Sequence, residues 1–143
     1  MYFVDTNVIV YANDRSAGDK QVRAIHVVAE LLKTRQGVIS IQVLQEYAFT
    51  AIKKLHQSTD VILREIRLLE SMSVVIPEPS MVIRAVEIQI SSRISFWDAS
   101  IVAAAENAQC QAILSEDLTP GQYYAGIPVI NPLLESFTLK GSK

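Results

Sequence analysis

Tyr2-Phe3-Val4-Asp5-Thr6-Asn7 is a short apolar run cut off by an acid and two small polar side chains. A run this short and this apolar reads as a strand buried on both faces, the habit of strands in parallel sheets. The same passage from apolar to acidic recurs far downstream in Ala112-Ile113-Leu114-Ser115-Glu116-Asp117. If both runs belong to one parallel sheet, Asp5 and Asp117 emerge at carboxyl ends of strands. Open α/β sheets bind their ligands there.

Between and beyond these runs, strand and helix patterns alternate. Thr6–Ala12 reads as a helical turn and Asn13–Asp19 as a polar turn around Gly18. Gln21–Lys33 carries Val22, Ile25, Val28, Ala29 and Leu32 at helical spacing, and Gly37 is expected to end that helix. Val38-Ile39-Ser40 reads as a second strand. Ile41–Leu55 and Ser58–Met72 read as amphipathic helices, with Ser58 as N-cap. Val74-Val75-Ile76 is a third apolar run, closed by Pro77 and Pro79. Ser80–Ser91 is helical through Val82, Ile83, Val86 and Ile90, and Phe96–Ala108 forms another helix. Ala112–Leu114 and Pro128–Ile130 are the last strands. Strands separated by helices predict parallel crossovers and a sheet covered on both faces. No linker or repeat interrupts the pattern, so residues 1–143 are expected to form a single domain.

The 143 residues are 50% hydrophobic and 20% charged, enough for a substantial core. The net charge of −2 argues against a generic basic nucleic-acid binder. A nuclease remains open, because a metal ion and a local basic patch can supply positive charge. Cys110 is alone, so no intramolecular disulfide or cysteine zinc site is expected, and a buried structural thiol is the simple reading. Asp5 and Asn7 interrupt the first apolar run at once, which does not suit a secretory leader. No run approaches the roughly 18 apolar residues of a membrane span. A soluble cytoplasmic protein is the expectation.

Three aspartates are candidates for chemistry. Asp98 shares a helix face with Ile101, Val102 and Ala105, the expected core side. A carboxylate there is costly unless paired or metal-bound. Its simpler reading is a first-turn Asp favoured by the helix dipole. Asp5 has an equally simple reading as an N-cap. Thr6 and Asn7 add short oxygen-bearing side chains, which suit bound water or phosphate but also a turn. Asp117 is preceded by Glu116, and the sequence does not say which of the two turns into a site. Ser115, two residues before Asp117, lets that loop wrap one ligand. Acids meeting at one sheet edge repel, and a hard cation such as Mg²⁺ or Mn²⁺ relieves the repulsion.

Other residues carry less signal. Glu46 lies with Gln42, Thr50 and Lys53 on the polar side of its helix, opposite Ile41, Leu44, Ala48, Ala51, Ile52 and Leu55, so periodicity makes it only a surface residue. His26 and His56 form no ligand pair, which argues against zinc chemistry. There is no phosphate-cradling Gly-rich loop and no Ser/His/Asp motif. Arg64 and Arg67 read as a solvated helix face. Arg15, Lys20 and Arg23 follow the Asp5 loop closely and could meet an RNA backbone, with ordinary surface charge as the alternative.

Together these residues resemble the PIN-domain nucleases, and among them the VapC-type toxins of toxin–antitoxin pairs. The resemblance runs from Tyr2 to Leu133. It rests on Val4-Asp5-Thr6-Asn7-Val8, on Glu46, and on Ile94-Ser95-Phe96-Trp97-Asp98-Ala99-Ser100-Ile101-Val102-Ala103-Ala104-Ala105. It closes with Leu114-Ser115-Glu116-Asp117-Leu118 and Val129-Ile130-Asn131-Pro132. Ser115 stands where the family often has Thr, which keeps the hydroxyl. The resemblance implies an α/β/α sandwich around a parallel sheet of about five strands. It implies an acidic pocket of Asp5, Glu46, Asp98 and Asp117 holding Mg²⁺ or Mn²⁺, and it raises Glu46 to a site residue. Asp5, Asp98 and Asp117 would be the metal ligands, with Thr6, Asn7 and Ser115 behind them. The implied activity is RNA phosphodiester hydrolysis, and the implied partners are an RNA substrate, a second copy of the chain and an antitoxin. Two rivals stand beside it. One is a haloacid-dehalogenase-like phosphatase, which usually has a second Asp where Asn7 stands. The other is a non-catalytic metal- or partner-binding module, against which the retention of all four acids argues.

Overall fold

The computed structural model describes residues 1–134 and 136–139. Residue 135 and the last four residues of the expected 1–143 unit lie outside them. The chain runs β1 (Tyr2–Val4), α1 (Thr6–Asn13), α2 (Asp19–Thr34), β2 (Gly37–Ser40), α3 (Ile41–Lys53) and α4 (Thr59–Leu69). It continues through β3 (Ser73–Val75), α5 (Pro79–Ser92), α6 (Phe96–Asn107), β4 (Ala112–Leu114), β5 (Tyr123–Tyr124) and β6 (Ile127–Ile130). The strand order is β3-β2-β1-β4-β6-β5. The first five of these are mutually parallel, and β5 adds a short antiparallel edge to β6. The expected parallel sheet of five strands is therefore present, with one short strand that no apolar run announced.

The order of the strands follows from the crossovers. β1 to β2 and β2 to β3 step in one direction, and the connection from β3 through α5 and α6 returns past β1 to β4. Parallel crossovers are almost always right-handed, so reversing direction moves the connecting helices to the opposite face. The helices α1 to α4 pack with one another on one face, and α5 packs on α6 on the other. The result is a three-layer α/β/α sandwich. Its direction reverses between β1 and β4, which opens a crevice at their carboxyl ends.

The core is the sheet and the helix stripes that cover it. Phe3, Val4, Ile39, Ile113 and Leu114 are fully buried. Ala99, Ile101, Val102, Ala103, Ala104 and Ala105 are buried along α6, whose small side chains let it lie close to the sheet and α5. Arg84 on α5 holds Glu106 on α6 with two guanidinium contacts of 2.7 and 3.0 Å. On the other face Tyr47 is buried, and its hydroxyl donates to Gln57 at 2.7 Å. Gln57 donates in turn to Asn13 at 3.1 Å, and Asn13 to Glu65 at 3.2 Å, so α1, α3 and α4 share one polar chain. Cys110 is a buried free thiol, as expected, and burial pushes its pKa up to about 11.

Several sequence expectations need correction. Gly37 does not end a helix: Arg35 does, in the left-handed conformation at φ 56°. Gly37 instead opens β2, where a Cβ would meet Met72 Sδ at 2.8 Å. The buried stripes also differ from those the apolar residues suggested. In α2 the buried positions are Ala24, Val27, Val28 and Leu31, while Val22 and Ile25 are exposed. In α3 they are Val43, Tyr47 and Ala51, while Phe49 and Ile52 are exposed. In α5 all four residues that gave the helical pattern, Val82, Ile83, Val86 and Ile90, face outward, and Met81, Ala85 and Ile88 face in. An apolar residue is not thereby an interior one. These helices carry apolar residues on more than one side. Ser58 caps α4 as expected, accepting from the Val61 N–H.

Candidate active site

The crevice is assembled by backbone pairing that runs past the ends of the strands. The Asp5 N–H donates to the Leu114 carbonyl, and the Ser115 N–H to the Ile130 carbonyl, both at 3.0 Å. These bonds place Asp5 beside Ser115. Asp5 then begins α1 as its N-cap, accepting from the Thr6 N–H at 2.7 Å. The simple capping reading of Asp5 is therefore correct, and it uses only one of the two carboxylate oxygens.

The other oxygen faces the crevice. Asp5 Oδ2 accepts from the Ser115 hydroxyl at 2.8 Å and from Asn7 Nδ2 at 3.2 Å. Asn7 Nδ2 also lies 3.2 Å from Ser115 Oγ and 3.3 Å from Asp117 Oδ2, so one amide spans Asp5 and Asp117. Ser115 is fully buried, and its Oγ accepts the N–H groups of Asp117 and Leu118, which fixes the turn after β4. The expected grouping of Asp5, Asn7, Ser115 and Asp117 is thus a bonded unit.

Asp5 is only 6% exposed. Burial pushes its pKa up to about 6, against the opposing hydrogen bonds from Ser115 and Thr6, and the nearby charges of Glu46 and Asp98 add to the rise. Glu46 and Asp98 therefore belong to the same electrostatic neighbourhood as Asp5, although neither bonds to it. Glu46 extends from α3 and is exposed, as its periodicity predicted. It accepts from Gln42 Nε2 at 2.8 Å, and the same nitrogen lies 3.1 Å from the Trp97 carbonyl, just before Asp98.

Asp98 requires a correction. Ile101, Val102 and Ala105 are buried, but Asp98 itself is half-exposed. It stands in the first turn of α6, whose N-cap Ser95 accepts the Asp98 N–H at 3.0 Å. A shared helix face therefore does not mean equal burial along its length. Asp5, not Asp98, is the carboxylate held away from water.

The cations near the Asp5 loop have separate surroundings. Lys20 Nζ is 3.0 Å from Glu116 Oε1, and Tyr11 donates to the same oxygen at 2.8 Å. Burial alone would raise the pKa of Glu116, but the bonds from Lys20 and Tyr11 outweigh it and hold it below the ordinary value. Arg23 donates to the Leu133 carbonyl at 2.8 Å. Arg15 is exposed and lines a separate cavity of about 500 Å³ with Lys54 and His56. The three do not form one patch at the crevice. Tyr11 and Gln42 were missed as supporting residues. Each lies four positions from a site residue on its own helix, Asn7 and Glu46, and that spacing was the available signal.

The donor set suits a hard divalent ion. It is all oxygen, it includes a carboxylate with raised pKa, and Thr6 Oγ1 is a buried oxygen without a hydrogen-bond partner. Among the described residues, no three Asp, Glu, His or Cys side chains are gathered tightly enough to enclose an ion by themselves. An ion there would draw much of its coordination from water, as Mg²⁺ commonly does.

The PIN domain family profile matches residues 2–123. No curated protein sequence matches the chain significantly. Among solved structures, a toxin–antitoxin complex from Klebsiella pneumoniae is 23% identical, with a TM-score of 0.65 over 92% of this chain and 98% of that one. VapC20 of Mycobacterium tuberculosis, described as a sarcin–ricin loop cleaving toxin, is 18% identical, with a TM-score of 0.64 over 90% and 99% of the two chains. FitAB bound to a DNA fragment gives a TM-score of 0.70 at 19% identity, over 94% and 96%. At such identities these likenesses concern the fold. The profile match extends over most of the sequence and takes in Asp5, Glu46, Asp98 and Asp117, and on that ground the chain belongs to the PIN domain family.

Proposed function

We propose that residues 1–143 form a single nuclease domain that hydrolyses RNA phosphodiester bonds with Mg²⁺ or Mn²⁺, as the toxin of a toxin–antitoxin pair. The observation that carries this reading is Asp5: a buried carboxylate at the point where the sheet reverses direction, bonded to Ser115 and Asn7 and within the field of Glu46 and Asp98. A buried, electrostatically crowded acid in such a crevice is a functional-site signature.

Asp5, Asp98 and Asp117 would hold the ion, with Glu46 as the fourth acid. When bound, the ion neutralises phosphate charge and acidifies a water molecule. The chain's own residues do the rest. Asn7 keeps Asp5 and Asp117 aligned, and Ser115 fixes both Asp5 and the turn that bears Asp117. Thr6 offers its unpartnered hydroxyl oxygen to water or phosphate. A carboxylate of the cluster accepts the proton as the water oxygen bonds to phosphorus and the P–O bond to the leaving oxygen breaks.

The test is cleavage of structured RNA with Mn²⁺ and with EDTA, alongside thermal melts in both. Cleavage only with metal, together with a melting shift, is the expected result, because a ligand that binds only the folded state stabilises it. Metal binding without cleavage would favour the binding-module reading. Release of phosphate from monoesters, with RNA left intact, would favour the phosphatase.

The same proposal includes a homodimer and an antitoxin. Apolar side chains are exposed on α3 and α4 as Phe49, Ile52, Leu63 and Leu68, and α5 alone exposes as many, Val82, Ile83, Val86 and Ile90. Apolar surface of this kind marks interfaces. We assign α5 to the contact between copies, and α3 and α4 to an apolar antitoxin segment. Light scattering should give a dimer for the wild type and a monomer for Val86→Lys. A wild-type monomer at high concentration would remove the dimer from the proposal. No helix among the described residues is long and apolar enough to cross a membrane, and a cytoplasmic location fits the proposed role.

A further inference from the structure

We propose that Lys20 and Tyr11 are positioning residues: they hold Glu116 out of the acid cluster and thereby present Asp117 to it. The proposal rests on the nuclease reading above and concerns how its site is kept in order.

Glu116 and Asp117 are adjacent acids on the turn after β4, and only one of them points at Asn7. The arrangement that decides between them is double-ended. The Glu116 backbone N–H donates to Asn7 Oδ1 at 3.0 Å. Its carboxylate oxygen Oε1 accepts from Tyr11 at 2.8 Å and from Lys20 at 3.0 Å. Asn7 and Tyr11 stand one turn apart on α1, so a single helix face grips both ends of Glu116. The Lys20 ammonium also lies 5.0 Å from the centre of the Tyr11 ring, within cation–π range.

A lone surface ion pair contributes little, and Lys20 is half-exposed. Geometry gives this one its consequence. Once released, Glu116 would be a fifth carboxylate free to swing towards Asp5, Glu46, Asp98 and Asp117, adding repulsion and competing with Asp117 for any cation. The turn would keep its bonds to Asn7 and Ser115 but lose the anchor on the Glu116 side chain. This also explains why Lys20, which follows the Asp5 loop so closely in sequence, lies beside the site and faces Glu116.

Lys20→Met, Tyr11→Phe, Glu116→Gln, Lys20→Arg and the Lys20→Met/Glu116→Gln double variant test the proposal through three readouts. Amide hydrogen exchange in the metal-free protein needs neither metal nor activity. The Glu116, Asp117 and Leu118 N–H groups should exchange about tenfold faster in Lys20→Met while those of Phe3 and Ile113 are unchanged. Calorimetry should show severalfold weaker Mn²⁺ binding. In RNA cleavage kcat should fall severalfold with KM nearly constant, Lys20→Arg should restore it, and the double variant should lose no more than the worse single one, because both act through one contact. The proposal is overturned if turn exchange is unaltered. It is equally overturned if Lys20→Met raises KM alone, in a salt-dependent way, with Glu116→Gln silent, since Lys20 would then be meeting the RNA backbone. If the wild type cuts no RNA, the nuclease reading fails, while exchange and Mn²⁺ affinity still decide the role of Lys20.

Discussion

Asp5→Asn is expected to reduce RNA cleavage by two to three orders of magnitude, about 3–4 kcal/mol of transition-state stabilisation, the scale on which one lost electrostatic group acts in a closed site. The substitution is well suited to the test because it leaves the fold's use of this position intact. Asn caps a helix as well as Asp does, so the bond from the Thr6 N–H to Oδ1 survives. The charge that faces Ser115, Asn7, Glu46 and Asp98 is what disappears. Asp98→Asn and Asp117→Asn should each remove most activity as well, and Glu46→Gln should remove less, since Glu46 is exposed and accepts from the Gln42 amide on its own helix. Rates are to be measured at several Mn²⁺ concentrations, so that lost affinity and lost chemistry separate. Wild-type turnover by Asp5→Asn at saturating Mn²⁺, with its circular dichroism unchanged, would remove Asp5 from the mechanism.

The central strands were legible because they are short and almost entirely apolar, which is what burial on both faces requires. Tyr2–Val4, Gly37–Ser40 and Ala112–Leu114 are buried throughout. The acids at their ends could then be placed by topology alone. Helix orientation was harder to read. In α5 Val82, Ile83, Val86 and Ile90 form the outer surface, and a pattern-based reading takes them for the core. Such a helix has two apolar faces, and periodicity alone does not rank them. Tyr123–Tyr124 escaped notice because its pairing depends on the turn before β6 and not on any apolar run.

Within the site, residues on one local segment could be read and contacts across the chain could not. Asp5, Thr6 and Asn7 share one turn, and Ser115 and Asp117 another. Glu46 has no local signal at all: its relation to Asp5 exists only after α3 and β1 are brought to one edge of the sheet. The burial of the acids was read in the wrong order for the same reason. Asp98 looks buried from its helix neighbours and is half-exposed in the first turn of α6. Asp5 looks like an ordinary cap and is the acid most removed from water. The choice between Glu116 and Asp117 lay beyond local sequence, since it is made by Tyr11 and Lys20 from another part of the chain.

That burial has a consequence for stability that can be measured without substrate. In the unfolded chain Asp5 titrates near the ordinary aspartate value of 3.8, and in the folded protein burial pushes it up to about 6. Between these values the folded state binds more proton than the unfolded state, so ionising Asp5 opposes folding. Its contribution to stability therefore falls as pH rises through that window and stays at its lowest above it. A rise of this size corresponds to about 3 kcal/mol. Asp5→Asn has no such titration. In EDTA, the stability difference between Asp5→Asn and the wild type should grow in favour of the variant from about pH 4 to pH 7. The net gain at neutral pH should be smaller than the full 3 kcal/mol, about 1–2 kcal/mol, because an amide meets Ser115 and Asn7 less well than a carboxylate does. Saturating Mn²⁺ should narrow or reverse the Asp5 difference, since only the wild type gains full metal binding. Denaturant melts of both proteins across this pH range, with EDTA and with Mn²⁺, measure it. If the two curves run parallel in EDTA, Asp5 is not held away from water in solution. If Asp5→Asn is strongly destabilised at every pH, the carboxylate is chiefly a structural cap, and the acidic site must be centred on Asp98 and Asp117.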